Sequence, residues 1–141
     1  MTSRYYKRSL LGPGVVVGAV LLAVLHAVAT VLYLYWFYWW FDTAMHFLGG
    51  FWIALLFWWI LKKESSTLTK ERASVYLILI TFALSVTWEL FEIYIGYVDP
   101  TLGVLYWLDT GADVVAGVLG GAFAVLLLLY TRGDTLQEGD V

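Results

Sequence analysis

The chain contains no cysteine, which excludes disulfides, thiolate metal ligands and a cysteine nucleophile, so any metal site has to be built from carboxylates and imidazoles. Charge is also scarce. Only 13% of the 141 residues are Asp, Glu, Lys or Arg, against about 25% in soluble domains, while 62% are hydrophobic and the mean hydropathy is +0.81. That leaves too little polar surface to cover a water-facing particle of this size, so the composition requires a membrane. The net charge of −3 carries little information, and no nucleic acid is expected as a partner. A P-loop, a Ser-x-x-Lys sequence and a His-rich set, the patterns that would assign a familiar chemistry directly, are absent too.

What the sequence does have is four apolar runs, at about 14–38, 43–61, 74–97 and 110–131, each long enough for the roughly 20 residues a helix needs to cross the hydrocarbon. Helical and strand periodicities do not discriminate in such uniformly apolar text. The helical assignment rests on length, since a barrel strand takes about 10 residues and alternates polar with apolar. The first run follows Arg4, Lys7 and Arg8 but continues to Phe41, far beyond the roughly 7 to 15 apolar residues of a cleavable signal core, and is read as a retained helix. The expected fold is all-α: a single transmembrane domain over residues 1–141, a bundle of four helices in the lipid bilayer.

Every Lys and Arg falls on one side of that layout. Arg4, Lys7 and Arg8 precede the first span, Lys62, Lys63, Lys70 and Arg72 lie between the second and third, and Arg132 follows the fourth. By the positive-inside rule both termini are cytoplasmic. The aromatic run Tyr33 to Phe41, with Tyr106 and Trp107 as its counterpart, then forms an interfacial belt at the outer face. Residues 63–72 read as a polar loop in which Thr69 caps the third helix, residues 99–103 as a turn, and residues 133–141 as a solvated tail.

Six acidic or imidazole groups lie within the spans or at their edges: Asp42, His46, Glu89, Glu92, Asp109 and Asp113. An ionised group facing lipid costs several kcal/mol, so such groups turn into the bundle and find partners. Asp42 and His46 are four apart, Glu89 and Glu92 three, Asp109 and Asp113 four, so each pair projects from one helix face. At 1.5 Å rise per residue, His46 and Asp113 fall about 6 Å, Glu92 about 8 Å and Glu89 about 12 Å inside the outer ends of their helices, which brings three helices' pairs to a common level. Asp42 and Asp109 would also serve as helix N-caps. Glu89 and Glu92, inside the third helix, have no such structural role. His26, near the middle of the first helix, reads as a packing residue unless that helix meets Glu89. The same faces continue in small residues, Gly49, Gly50, Ser85, Gly96, Gly117, Gly120, Gly121 and Ala124, as closely approaching helices require.

Asp42-x-x-x-His46 followed by Gly50, then Trp88-Glu89-Leu90-Phe91-Glu92, then Asp109-Thr110-Gly111-Ala112-Asp113 resemble the signature blocks of the YjdF-like family of small bacterial inner-membrane proteins, with a weaker similarity to VanZ-like proteins. The resemblance covers about residues 40–125. It implies a shared membrane fold and polar centre and a multi-pass location in the cell (inner) membrane, and it brings no established activity.

Five carboxylates and an imidazole at one depth, with no Lys or Arg on that side, need protons or a cation. One solution is a divalent metal, or a pair, held by Asp42, His46, Glu89, Glu92, Asp109 and Asp113, as carboxylate and His side chains from facing helices hold two metal ions in four-helix bundles. The oxygen-rich set favours Mg²⁺, Mn²⁺ or Ca²⁺, and the imidazole admits Fe²⁺ or Zn²⁺. The other solution is a network of protonated acids. Three functions follow: a metal-dependent enzyme on a lipid or lipid-linked substrate, a divalent-cation or proton transporter or channel that at this size would work as a homo-oligomer, and a non-catalytic assembly subunit locked by its acids.

Overall fold

The computed structural model describes residues 2–64, 69–98, 101 and 103–133. Residues 65–68 of the polar loop, 99, 100 and 102 of the turn, and the tail from 134 onward lie outside the described residues. The elements are α1 (Thr2–Val31), α2 (Leu34–Phe37), α3 (Phe41–Glu64), α4 (Lys70–Tyr94) and α5 (Val104–Gly133), with no strand among the described residues. Four helices are long and apolar enough to cross a membrane, at Leu11–Val31, Phe41–Leu61, Lys70–Tyr94 and Val104–Tyr130. In hydrocarbon no water satisfies a free backbone amide or carbonyl, so each apolar run closes its hydrogen bonds within itself as a helix. The chain is a multi-pass, all-α membrane protein.

The helix ends explain how side chains reach the site. At the start of α4 the Thr69 side chain accepts from the Arg72 amide at 3.4 Å, the cap expected there. At its other end Gly96 adopts φ +72, with Gly96 N–H donating to the Ile93 carbonyl and Tyr97 N–H to the Glu92 carbonyl. This is a Schellman closure, in which glycine tolerates the left-handed conformation. Gly96 therefore turns the chain, folding Tyr97 back over the last turn of α4, and is not part of a helix-packing face.

Several helix boundaries differ from the sequence expectation, and α1 already begins at Thr2 rather than near residue 14. The first long helix stops at Val31, Tyr33 takes φ 57, and the single turn α2 precedes a fresh start at Phe41. The aromatic residues there carry no breaker signal, and what bends the chain is the side-chain partnership of Tyr35, described below. The last helix begins at Val104, directly after Gly103 at φ +74, more than a turn earlier than expected. Asp42 consequently sits in the first turn of α3 and Asp109 inside α5, so neither is an N-cap.

Packing is centred on α5. Its largest interface is with α3, followed by α4, whereas α1 leans on α3 and makes no extended contact with α4 or α5. The buried residues of α4, Ala73, Leu77, Thr81, Ser85, Glu89 and Glu92, form one stripe of three- and four-residue steps. Glycines set the closeness. A Cβ on Gly50 would fall on the Gly117 carbonyl, one on Gly120 on the Phe47 carbonyl, and one on Gly117 on the Ser85 hydroxyl. At the end of the bundle bearing the α3–α4 connection, Trp58, Ala73, Leu77 and Val125 form an apolar cluster, flanked by Phe57, Leu61, Ile78, Leu128 and Leu129. α1 is pinned by the Trp52 indole N–H, which donates to the Val15 carbonyl at 2.8 Å.

Candidate metal centre

Gly50, Gly117 and Ser85, where the backbones touch, each lie one helical turn from a polar residue: His46, Asp113 and Glu89. The close approach therefore brings those three side chains together. His46 Nε2 lies 3.7 Å from Asp42 Oδ1 and 3.4 Å from Glu89 Oε1. Two groups of ligand atoms result, Asp42–His46–Asp113 and His46–Glu89–Glu92, and within each the atoms lie within 4.8 Å of one another. Ligands on opposite sides of a cation bound at about 2.1–2.5 Å are separated by about 4–5 Å, so both groups have the compactness of a coordination sphere. They share His46.

Burial grades across the cluster. Asp113, Glu89 and Glu92 are 2%, 4% and 8% exposed, while the Asp42 side chain keeps 35% exposure at the rim. Asp109 is exposed and joins neither group. Its α5 starts early, so the residue points outward a turn beyond Asp113. Neutral donors surround the acids: the Trp88 indole N–H donates to Glu92 Oε1 at 2.9 Å, the Thr110 hydroxyl reaches the Glu89 carboxyl, and that of Thr43 reaches Asp113. Even so, Glu89 Oε1 and Asp113 Oδ1 are buried without a hydrogen-bond partner; the His46 ring approaches the former without being directed at it as a donor. No Lys or Arg occurs between residues 9 and 61 or between 73 and 131, so the chain supplies no fixed cation there.

Beside the cluster, between α1, α3 and α4, lies a cavity of about 740 Å³. Asp42, His46 and Glu92 open onto it, and its remaining wall is largely apolar, including Leu22, Ile53, Leu84 and Phe91. His26, Tyr35 and Tyr97 line it as well. Tyr35 and His26 Nδ1 share a hydrogen bond of 2.7 Å, and Tyr35 stacks edge-on to Phe41. These contacts fold the α2 turn back over the cavity mouth. Burial, reinforced by the nearby Asp42 carboxylate, pushes the Tyr35 hydroxyl up to about 12, and the same two causes raise that of Tyr97. Both phenols are therefore protonated donors at neutral pH.

His26 belongs to neither ligand group; it faces the cavity through Tyr35. Sequence reasoning placed the tryptophans and tyrosines in a belt or core, and for Trp36, Phe37 and Trp39 the strong exposure fits that. It missed Trp88, whose i, i+4 spacing to Glu92 was the available signal, and Thr43 and Thr110, each adjacent in sequence to a motif aspartate. Tyr35 and Tyr97 had no such signal, because turns bring them to the site.

A family model described as "Predicted membrane protein (DUF2238)" matches residues 1–134, and the chain belongs to that family. No curated protein and no solved structure matches it.

Proposed function

We propose that this member of a predicted-membrane-protein family is a metal-dependent membrane enzyme. Its cluster binds one or two divalent cations between α3, α4 and α5, and the ion acts on a lipid or lipid-linked substrate entering from the adjoining cavity. The observation that carries the reading is the pair of ligand groups sharing His46, in which Glu89 Oε1 and Asp113 Oδ1 are buried without partners. A buried polar atom left unpaired costs about 1–3 kcal/mol, more when charged, and a cation coordinated by both groups removes that cost. Asp42, His46, Glu89, Glu92 and Asp113 are the ligand candidates. Asp109 stands at the rim as an outer carboxylate. The donor set suits Mg²⁺, Mn²⁺ or Ca²⁺, and the imidazole extends it to Fe²⁺ or Zn²⁺.

A catalytic role is favoured over a conducting one by what lies below the cluster. The glycine contacts and then the Trp58–Leu77–Val125 cluster fill the bundle toward the α3–α4 connection, whereas the cavity opens sideways from the ligands. An ion held there would polarise a substrate oxygen or activate water, and the exposed Asp109, outside both ligand groups, is the carboxylate left free to act as general base. The one-sided distribution of Lys and Arg supports cytoplasmic termini, which puts the cluster toward the outer leaflet. The YjdF-like resemblance supports a common polar centre and adds no activity. Elemental analysis of detergent-purified protein tests the reading: stoichiometric divalent metal is expected, and metal-free protein that also fails to take up any of the five ions on addition would overturn it.

A further inference from the structure

Part of the cavity lining belongs to neither candidate ligand group. It contains the hydroxyls of Tyr35 and Tyr97, with His26, 9 residues before Tyr35, hydrogen-bonded to Tyr35. Beyond them the lining is apolar on both flanking helices, with Leu22 and Ala23 on α1 and Leu84 and Phe91 on α4. α1 rests on α3 and makes no extended contact with α4, so the cavity lies between two helices that are not packed together. Its volume of about 740 Å³ falls within the roughly 300–1,000 Å³ of small-molecule sites.

We infer that this cavity seats an amphiphile with a phosphate head, the head bridging the bound ion and the Tyr35 and Tyr97 hydroxyls and the alkyl chain lying between α1 and α4. The inference rests on the metal reading above and adds the substrate class. Asp42 and Glu92 line the cavity and no Lys or Arg does, so an anion is repelled from the empty cluster and enters only after a cation. Once the ion is in place, an acceptor-rich oxyanion is the head that uses both the metal and two neutral donors. A quaternary ammonium head would compete with the ion for the same carboxylates, and would offer the Tyr97 hydroxyl no acceptor. The apolar remainder of the wall fits a hydrocarbon chain, which reaches the cavity from the bilayer without crossing water.

Gly49 provides a substitution that touches one half of the site alone. It lines the cavity, and a Cβ built on it meets nothing within 4 Å, so the side chain of Gly49→Leu starts into open space and is expected to fill the cavity with the ligand side chains left in place. The experiment measures melting temperature and bound mass by native mass spectrometry on the full chain in a non-ionic detergent. The probes are Mn²⁺, dodecyl phosphate, inorganic phosphate, dodecanol and dodecyltrimethylammonium. Dodecyl phosphate is expected to bind and raise the melting temperature only with Mn²⁺ present, while inorganic phosphate and dodecanol, each lacking one half of the molecule, give no comparable increment. Gly49→Leu is expected to keep the Mn²⁺ increment and to bind dodecyl phosphate about tenfold more weakly or worse.

The two readings fail separately. Absence of any Mn²⁺ effect on the wild type overturns the metal centre and this inference with it. A normal Mn²⁺ effect overturns the inference alone if dodecyl phosphate does not bind, if it binds equally without Mn²⁺, or if Gly49→Leu binds it as well as the wild type. Equal stabilisation by inorganic phosphate would assign the head site to a free anion, and Mn²⁺-independent binding of dodecyltrimethylammonium lost in Gly49→Leu would assign the cavity to a cationic head. Either result rejects the phosphate-headed amphiphile.

Discussion

Glu89→Gln separates a metal-bound centre from a network of protonated acids because the two give opposite signs for the same substitution. Glu89 is 4% exposed, its Oε1 lacks a partner, and His46 stands 3.4 Å away. With a metal at 100 times its Kd, ligation confined to the folded state adds about 2.7 kcal/mol, equivalent to about 10 °C in melting temperature for a chain of this size. Glutamine keeps the volume but offers a neutral, weaker ligand, so the metal increment in Glu89→Gln should shrink to near zero. Without a metal, the same change removes a buried acid whose oxygen is unpaired, and stability should hold or rise by about 1–3 kcal/mol.

The assay is thermal unfolding of wild type and Glu89→Gln in detergent, with chelator and then with each divalent ion. Protons compete with a metal for carboxylate and imidazole, so the wild-type increment should weaken as pH falls. A wild type indifferent to all the ions, together with an equal or more stable Glu89→Gln, would refute the metal argument and leave a proton-sharing network.

Three further outcomes follow from the geometry. Trp88→Phe removes the N–H that holds Glu92 Oε1 and should lower metal affinity by about 10- to 100-fold, the usual effect of losing a partner behind a ligand, with little change in the melting of the chelated protein; unchanged affinity would remove Trp88 from the site. Gly50→Ala, whose Cβ would fall on the Gly117 carbonyl, should cost about 1–3 kcal/mol by overpacking and reduce metal occupancy, whereas Gly111→Ala, with open space around its Cβ, should be neutral or gain up to about 1 kcal/mol of helix propensity. For topology, single cysteines at positions 67 and 101 should react with an impermeant thiol reagent from opposite faces of sealed vesicles, and labelling from one face would reject the charge-based orientation.

The spans were legible because length and hydropathy alone force helices in lipid. The paired acids were legible because three- and four-residue spacing fixes a helix face whatever the partner. What spacing cannot fix is the height of one helix against another. The apolar run places the start of the last helix just after Asp109, with Asp109 as its cap, yet α5 begins at Val104, so Asp109 lies inside the helix, exposed, while Asp113 is buried. The break at Tyr33 was equally hidden: tyrosine carries no helix-ending preference strong enough to read, and the αL conformation there goes with the long-range contact of Tyr35 with His26. The cavity, formed where α1 leans on α3 and stays apart from α4, is a tertiary property with no linear signature.

The small residues and the acids are two aspects of one device. A cluster of carboxylates inside a membrane protein tends to push its helices apart, and the nearest place where that tendency can be resisted is one turn away on the same faces. There the sequence has Gly50, Gly117 and Ser85, whose backbones and short side chains are in direct contact, and one turn along each helix stand His46, Asp113 and Glu89. Contact at that plane fixes the separations of the candidate ligands, so a cation bound as proposed would meet a preformed shell and would spend little of its binding energy on drawing helices together. The same plane fills the bundle below the cluster, so on the proposed reading the gap beside α1 would be the way in for ion and substrate. A variant that loosens the plane, such as Gly50→Ala, should therefore lose metal affinity even though no ligand is altered, and by linkage the metal should stabilise it less than it stabilises the wild type. That deficit, read as a metal-dependent rise in melting temperature smaller for Gly50→Ala than for the wild type at the same ion concentration, would be missing if packing and ligation were independent.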